Sequence, residues 1–165
     1  MLSPHNSVIT LDPPVVISGV PSRSKSRNVL IVEDHPPTAE LLASAIDETD
    51  VEISSRVVHT GHDCLSILFD ESEQAFRPDL VFLDLELPDT DGISILEKIQ
   101  DERALRRIPV IVLSGTNDQD TIRRCYEAGA TAFISKPDNL NGFFSIADGV
   151  VSHWFTVVEL PAGNC

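Results

Sequence analysis

Pro78-Asp-Leu-Val-Phe-Leu-Asp84-Leu-Glu-Leu-Pro88-Asp-Thr-Asp-Gly92 is the stretch whose reading decides the fold. Its apolar run, Leu80, Val81, Phe82 and Leu83, stops on a carboxylate, and a turn cluster then leads into a helical pattern. A continuous apolar run bounded by turn signals reads as a strand covered on both faces, as in a parallel sheet. Asp84 then sits at the carboxyl end of that strand, where open α/β sheets place their chemistry. Taken by itself, the stretch reads equally well as an ordinary strand whose final Asp caps the next turn.

Working outward, the same alternation recurs on both sides. Val29-Leu-Ile-Val32 is a short apolar strand ending in Glu33-Asp34, and Pro36-Pro37 opens a helix carrying Leu41, Leu42, Ala45 and Ile46. Residues 51–58 alternate enough to be a strand near a sheet edge. Gly61-His62-Asp63 starts a helix with Cys64, Leu65 and Leu68 on one face, and Ile93, Leu96 and Ile99 mark the helix after the opening strand. Ile108-Pro-Val-Ile-Val-Leu113 is a fourth strand, ending at Ser114-Gly115. Residues 118–128 form a fourth helix, with Gly129 as its C-terminal cap. Ala130-Thr-Ala-Phe-Ile134 is the fifth strand, ending in Ser135-Lys136-Pro137. Leu140, Phe143, Phe144, Ala147, Val150, Val151 and Trp154 repeat at the spacing of one long last helix. Five strands alternating with five helices imply right-handed crossovers, hence an α/β fold: a doubly wound parallel sheet with helices on both faces.

Length and composition bound the rest. The chain has 165 residues, enough for one domain that buries roughly 70% of its unfolded surface. A formal charge of −14 and a pI near 4.5 argue against a nucleic-acid or anionic-membrane surface. Lysine is confined to positions 25, 98 and 136 among many carboxylates. Such a surface fits a high-salt cytoplasm, where exposed charges are screened within ~3 Å at 1 M, or simply a mildly acidic protein. Cys64, Cys125 and Cys165 show no metal-ligand spacing, so reduced, mostly buried thiols are expected. No apolar run is long enough to span a membrane and no secretory leader is visible, so a cytoplasmic location is expected. Residues 1–27, with four prolines and Ser-Arg-Ser-Lys-Ser-Arg, read as a flexible tail.

The strand ends carry the chemistry. Strands one, three, four and five end in Glu33-Asp34, Asp84, Ser114 and Lys136, and a doubly wound sheet gathers these ends at one edge. Carboxylates ~4–5 Å apart repel by roughly 3–4 kcal/mol per pair at an effective dielectric of 20. The cluster stays ionised only if cations neutralise it, either the Lys136 ammonium or an oxygen-liganded Mg²⁺. Each residue alone could be a strand-end cap or a solvated side chain; that reading explains their coincidence poorly.

With Val-Glu33-Asp34, Leu-Asp84-Leu-Glu-Leu-Pro-Asp-Thr-Asp-Gly92, Val-Leu-Ser114-Gly and Phe133-Ile-Ser-Lys136-Pro137 in this order, residues 28–150 resemble the receiver domain of two-component response regulators. The resemblance implies a flavodoxin-like sheet of order 2-1-3-4-5. It implies that Asp84 takes a phosphoryl group from a partner histidine kinase or phosphotransfer protein. Glu33, Asp34, Asp84 and the backbone carbonyl of Glu86 would hold Mg²⁺. Lys136 and Ser114 would contact the phosphoryl oxygens, Ser114 and Phe133 would form the switch, and the Lys136–Pro137 peptide is expected to be cis. Two features depart from the commonest pattern: Glu33-Asp34 replaces Asp-Asp, and Glu86 adds a negative charge two residues after Asp84.

Residues 28–152 are the expected receiver. Residues 153–165 hold no room for an output domain, so a stand-alone receiver is expected. Trp154-Phe-Thr-Val-Val-Glu-Leu-Pro161 and Leu105-Arg-Arg-Ile-Pro109 are similar to the response regulators of phytochrome-type kinases, whose C-terminal extension takes part in a homodimer. A tail folded back on its own domain is the alternative. The resulting expectation is a signalling protein that binds partners when phosphorylated, and not an enzyme beyond self-phosphorylation and slow self-dephosphorylation. A phosphate sink is the alternative within signalling. An aspartyl-phosphate phosphohydrolase wants Asp-x-Asp-x-Thr, which Glu86-Leu-Pro88 fails, and a flavodoxin-like cofactor binder lacks its phosphate loop after strand one.

Overall fold

Four consecutive apolar side chains at 29–32, and again at 80–83 and 110–113, can be buried only if both faces of the sheet are covered. The computed structural model describes residues 26–157 and meets that requirement. In chain order the elements are β1 (Arg27–Val32), α1 (Pro36–Asp47), β2 (Ile53–Val58), α2 (Gly61–Leu68), β3 (Leu80–Leu83), α3 (Gly92–Asp101), β4 (Val110–Ser114), α4 (Gln119–Glu127), β5 (Ala132–Ser135) and α5 (Leu140–Ala147). A π-helix, Asp148–Val157, continues α5. The sheet order is β2-β1-β3-β4-β5 and every neighbouring pair is parallel. Most of the tail expected over 1–27, the end of the 153–165 extension and Cys165 lie outside the described residues.

Alternate residues of each central strand feed two separate cores. Leu30, Val32, Val81, Leu83, Val110 and Val112 pack with Cys64, Ile95, Leu96, Ile99 and Cys125 of α2, α3 and α4. Val29, Ile31, Leu80, Phe82, Ile111 and Leu113 pack on the other side with Leu42, Ile46, Phe143 and Ala147 of α1 and α5. The edge strand β2 alternates half-buried and exposed residues, as expected. Cys64 and Cys125 are buried free thiols, and burial pushes the Cys64 thiol up to about 12.

Local chemistry sets the helix starts. Thr60, Asp91, Asp118 and Asn139 each accept a backbone N–H of the helix they precede. α1 instead opens with prolines, which have no N–H to satisfy.

Besides β2 and β5, which begin two residues late at Ile53 and Ala132, two boundaries differ from expectation for identifiable reasons. β4 begins at Val110 and not at Ile108, because Pro109 can join the ladder only through its carbonyl, which accepts from Val81 N at 3.0 Å. The last helix is not α-helical throughout. At Asp148 it widens to π turns, placing Ala147, Val151 and Phe155, four apart, against the α1/α5 core. Gly149, the weakest helix former there, lies in the first π turn. The Arg27 guanidinium sits 5.6 Å from the Phe155 ring centroid.

Gly129 closes α4 at φ 103°, and a Cβ there would meet the Gln100 side chain at 2.3 Å. Gly129→Ala is therefore expected to lower unfolding stability by about 1 kcal/mol or more. Urea denaturation measures this directly, and an unchanged midpoint would show that the turn relaxes at no cost.

Candidate functional site

The parallel register brings the carboxyl ends of β1, β3, β4 and β5 to one edge. Glu33 and Asp84 are each only 3% exposed, Ser114 is fully buried, and Asp34 faces solvent. One carboxylate oxygen from each of Glu33, Asp34 and Asp84 lies within 4.8 Å of the others. Lys136 Nζ is 2.7 Å from Glu33 Oε2 and 3.3 Å from Asp84 Oδ2.

Backbone bonds hold these groups in place. Asp84 N donates to the Val32 carbonyl, Glu33 N to Val58 and Lys136 N to Ser114, so the ladders continue to the site itself. Glu33 Oε1 accepts from His35 N at 3.2 Å, and Asp84 Oδ1 from Glu86 N at 3.2 Å. The His59 ring donates from Nδ1 to the Glu33 carbonyl at 2.8 Å. Ser114 Oγ accepts from Thr116 N at 3.4 Å. Beside it lies a cavity of about 280 Å³ lined by Glu86, Asp91, Ser114, Thr116, Thr121 and Arg124, among others.

The electrostatics follow from three clustered carboxylates and one ammonium, which pairs with two of them. Burial and then the Glu33 charge raise the Asp84 carboxyl to about 6, against the opposing pull of Lys136 and the Glu86 N–H. Burial alone would lower the Lys136 ammonium. Its hydrogen bond to Glu33, with the charges of Asp84 and Glu33, holds it above its ordinary value. With all groups ionised the cluster carries two excess negative charges, which a hard divalent cation would balance. The all-oxygen donor set fits Mg²⁺ or Mn²⁺ and no softer ion.

The structure thus brings together Glu33, Asp34, Asp84 and Lys136, with Ser114 and Glu86 on the wall of the adjoining cleft. Phe133 stands apart. It is half-buried on the α2–α4 face, and its backbone N–H donates to the Tyr126 hydroxyl at 3.1 Å. The Lys136–Pro137 peptide, expected cis, is trans, like every other described peptide. Trans is the cheaper isomer by about 0.5–1 kcal/mol, and in it Lys136 N keeps its 2.8 Å bond to Ser114 while Pro137 packs against Gly142.

Sequence reading did not find His59 or the cleft residues Thr116, Thr121 and Arg124; it left the Asp89-Thr-Asp91 segment open between tuning the site and acidic surface, without the contact Asp89 makes to α2. The contacts of His59 and Asp89 join residues 26 to 28 positions apart, which no local pattern reveals.

The response regulator receiver domain family matches residues 29–147, more than half of the chain. This chain is a member of that family. Response regulator Rcp1 of Synechocystis sp. is 31% identical over 136 residues, spanning 81% of this chain and 92% of that protein. Among solved structures, the phosphorylated cyanobacterial phytochrome response regulator RcpA superposes with a TM-score of 0.78 at 33% identity, covering 84% of this chain and all of that one. The Mn²⁺-bound form of Rcp1 superposes with a TM-score of 0.75 at 30% identity, covering 82% and 99%. The chain therefore belongs to two-component signalling, in a family of generally non-enzymatic modules that are phosphorylated by histidine kinases or phosphotransfer proteins and bind Mg²⁺ or Mn²⁺ at an acidic pocket.

Carboxyl-carbon NMR of the metal-free protein should show Asp84 titrating near pH 6, and Lys136→Met should move it higher by removing the cation that favours the ionised form. The folded state holds this proton more tightly than the unfolded chain, so metal-free stability falls as pH rises from about 4 to about 6. A value at the ordinary carboxyl position in both proteins would contradict the described burial.

Proposed function

We propose that Asp84 is the phosphoryl acceptor of this receiver, that the donor is a phosphohistidine on a sensor kinase or phosphotransfer protein, and that the reaction needs Mg²⁺. The observation that carries the reading is a nearly buried carboxylate that shares one ammonium with Glu33 and lies within 4.8 Å of the Asp34 carboxylate as well. An Asp84 oxygen forms the bond to phosphorus as the P–N bond of the donor breaks, and the departing imidazole keeps that electron pair and takes up a proton. Glu33, Asp34, Asp84 and the Glu86 backbone carbonyl would hold Mg²⁺, which supplies charge neutralisation at the transferring oxygens. Lys136 pairs with one phosphoryl oxygen, and the Ser114 hydroxyl donates to another.

Phosphorylation adds about −1.5 to −2 charge at the Asp84 end of the sheet. In this reading Ser114 moves toward the new oxygens, and Phe133 turns into the space released. The α4–β5–α5 face changes shape, and partners read the change. The kinase is of the phytochrome type by likeness to RcpA. Residues 28–152 are the receiver proper, and residues 153–165 contribute to a homodimer. The half-buried Val150, Trp154 and Phe155 at the end of the last helix support a surface that a second copy could cover. No described helix is long and apolar enough to cross a membrane.

Acetyl phosphate with Mg²⁺ should give a stable adduct of one phosphoryl group by mass spectrometry, absent in Asp84→Asn and absent with chelator. Continuous rapid turnover of the donor would point to a phosphohydrolase instead. Light scattering should give two chains per particle for the full chain and one for a chain ending at Ser152; the same number of chains in both would remove the extension from the dimer.

A further inference from the structure

The turn that follows β3 is fastened to another element at its tip. Asp89 Oδ1 accepts from Gly61 N at 2.8 Å and Asp89 Oδ2 from His62 N at 2.8 Å, so one carboxylate covers the first two N–H groups of α2. The next, Asp63 N, donates to the Thr60 hydroxyl at 3.0 Å. A local cap therefore already exists, and the second one comes from a residue 28 positions away. A carboxylate is well placed there, against the positive end of the helix dipole. The same N–H groups hold the Asp89 carboxyl below its ordinary value, so it stays ionised at neutral pH.

The approach is close enough to dictate residue types. A Cβ on Gly61 would lie 2.0 Å from Thr90 Cγ2, and one on Gly92 would lie 2.7 Å from Leu85 Cα and 2.8 Å from the Asp84 carbonyl. Thr90 Oγ1 and Ser94 Oγ are 3.0 Å apart, and Glu86 bridges to Asp91 within the turn. The base of the turn is thus closed on β3 and its tip on α2. From α2 the chain leads straight back to the acid cluster. The His59 ring holds the Glu33 carbonyl, and Val58 O accepts Glu33 N. Hydrogen bonds and backbone together make a ring from Asp84 through the turn, across Asp89 to α2, and back through His59 to Glu33.

We propose that Asp89 is a positioning residue of the phospho-acceptor site, holding in place the turn that carries Glu86 away from Asp84. The inference rests on Asp84 as acceptor and the Glu86 carbonyl as metal ligand. A carboxylate serving only as a helix cap would affect stability and nothing else. A positioning carboxylate also affects how well the cluster holds a divalent cation.

The test uses the full chain with Asp89→Ala, which keeps no acceptor, and Asp89→Asn, which keeps one oxygen for one N–H. Calorimetry measures Mn²⁺ and Mg²⁺ affinity, amide hydrogen exchange follows Gly61 and His62, and acetyl phosphate labelling gives the Mg²⁺ concentration for half-maximal rate. Asp89→Ala should exchange faster at both amides and weaken metal binding by ~10-fold, as loss of groups that orient metal ligands does. Its labelling rate at saturating Mg²⁺ should change far less, and Asp89→Asn should fall between Asp89→Ala and wild type in affinity. Unchanged metal affinity with faster amide exchange would reduce Asp89 to a cap and overturn the proposal. Should Asp89→Ala not fold, the same comparison of Asp89→Asn with wild type decides. A wild-type chain that is not labelled at Asp84 would instead overturn the function proposed above.

Discussion

Like charges crowded at one end of a sheet are the constraint on which the rest depends. Glu33, Asp34 and Asp84 place an oxygen each within 4.8 Å, and Lys136 supplies one compensating charge at 2.7 and 3.3 Å from two of them. At an effective dielectric near 20, each carboxylate pair at such a separation costs roughly 3 kcal/mol. The fold withstands this because the apolar faces of β1, β3 and β4, buried on both sides, keep the strand ends from moving apart. Hydrophobic burial thus holds an electrostatically uncomfortable arrangement ready for a cation and a phosphoryl group.

That strain also explains why the surrounding loops are so thoroughly tied. Glu33 is held by His35 N, and its carbonyl by His59; Asp84 is held by Glu86 N; the turn beyond it is held by Gly92 at its base and Asp89 at its tip. Loops free to shift would relieve the repulsion by separating the carboxylates. The cleft beside Ser114 is the exception. Glu86, Thr116, Thr121 and Arg124 line open space there, and Cys125 is the one residue that α4 buries. An element so lightly packed is the one that a change of charge at Asp84 can move at least cost.

The architecture was legible because its signals are local. Four-residue apolar runs ending in polar residues announced β1, β3 and β4, and the Pro36-Pro37 pair announced the start of α1. Glu33, Asp34, Asp84, Ser114 and Lys136 were legible because a parallel sheet must bring such strand ends together. Asp89 was not, since its partners lie 28 residues back and nothing in Pro88-Asp-Thr-Asp91 distinguishes a clamp from acidic surface. The π segment was hidden because Ala147, Val151 and Phe155 suit an α pattern almost as well. The Lys136–Pro137 isomer was misjudged because its free-energy difference is too small for residue identity to decide.

The most direct measurement is a Mg²⁺ titration of the metal-free chain followed by amide NMR, with Glu33→Gln and Asp34→Asn as controls. The expected result is one saturable ion per chain, with shifts centred on residues 33–35, 84–87 and 136 and weaker binding in both variants. Absence of saturable binding, or shifts elsewhere with those residues unmoved, would contradict the account.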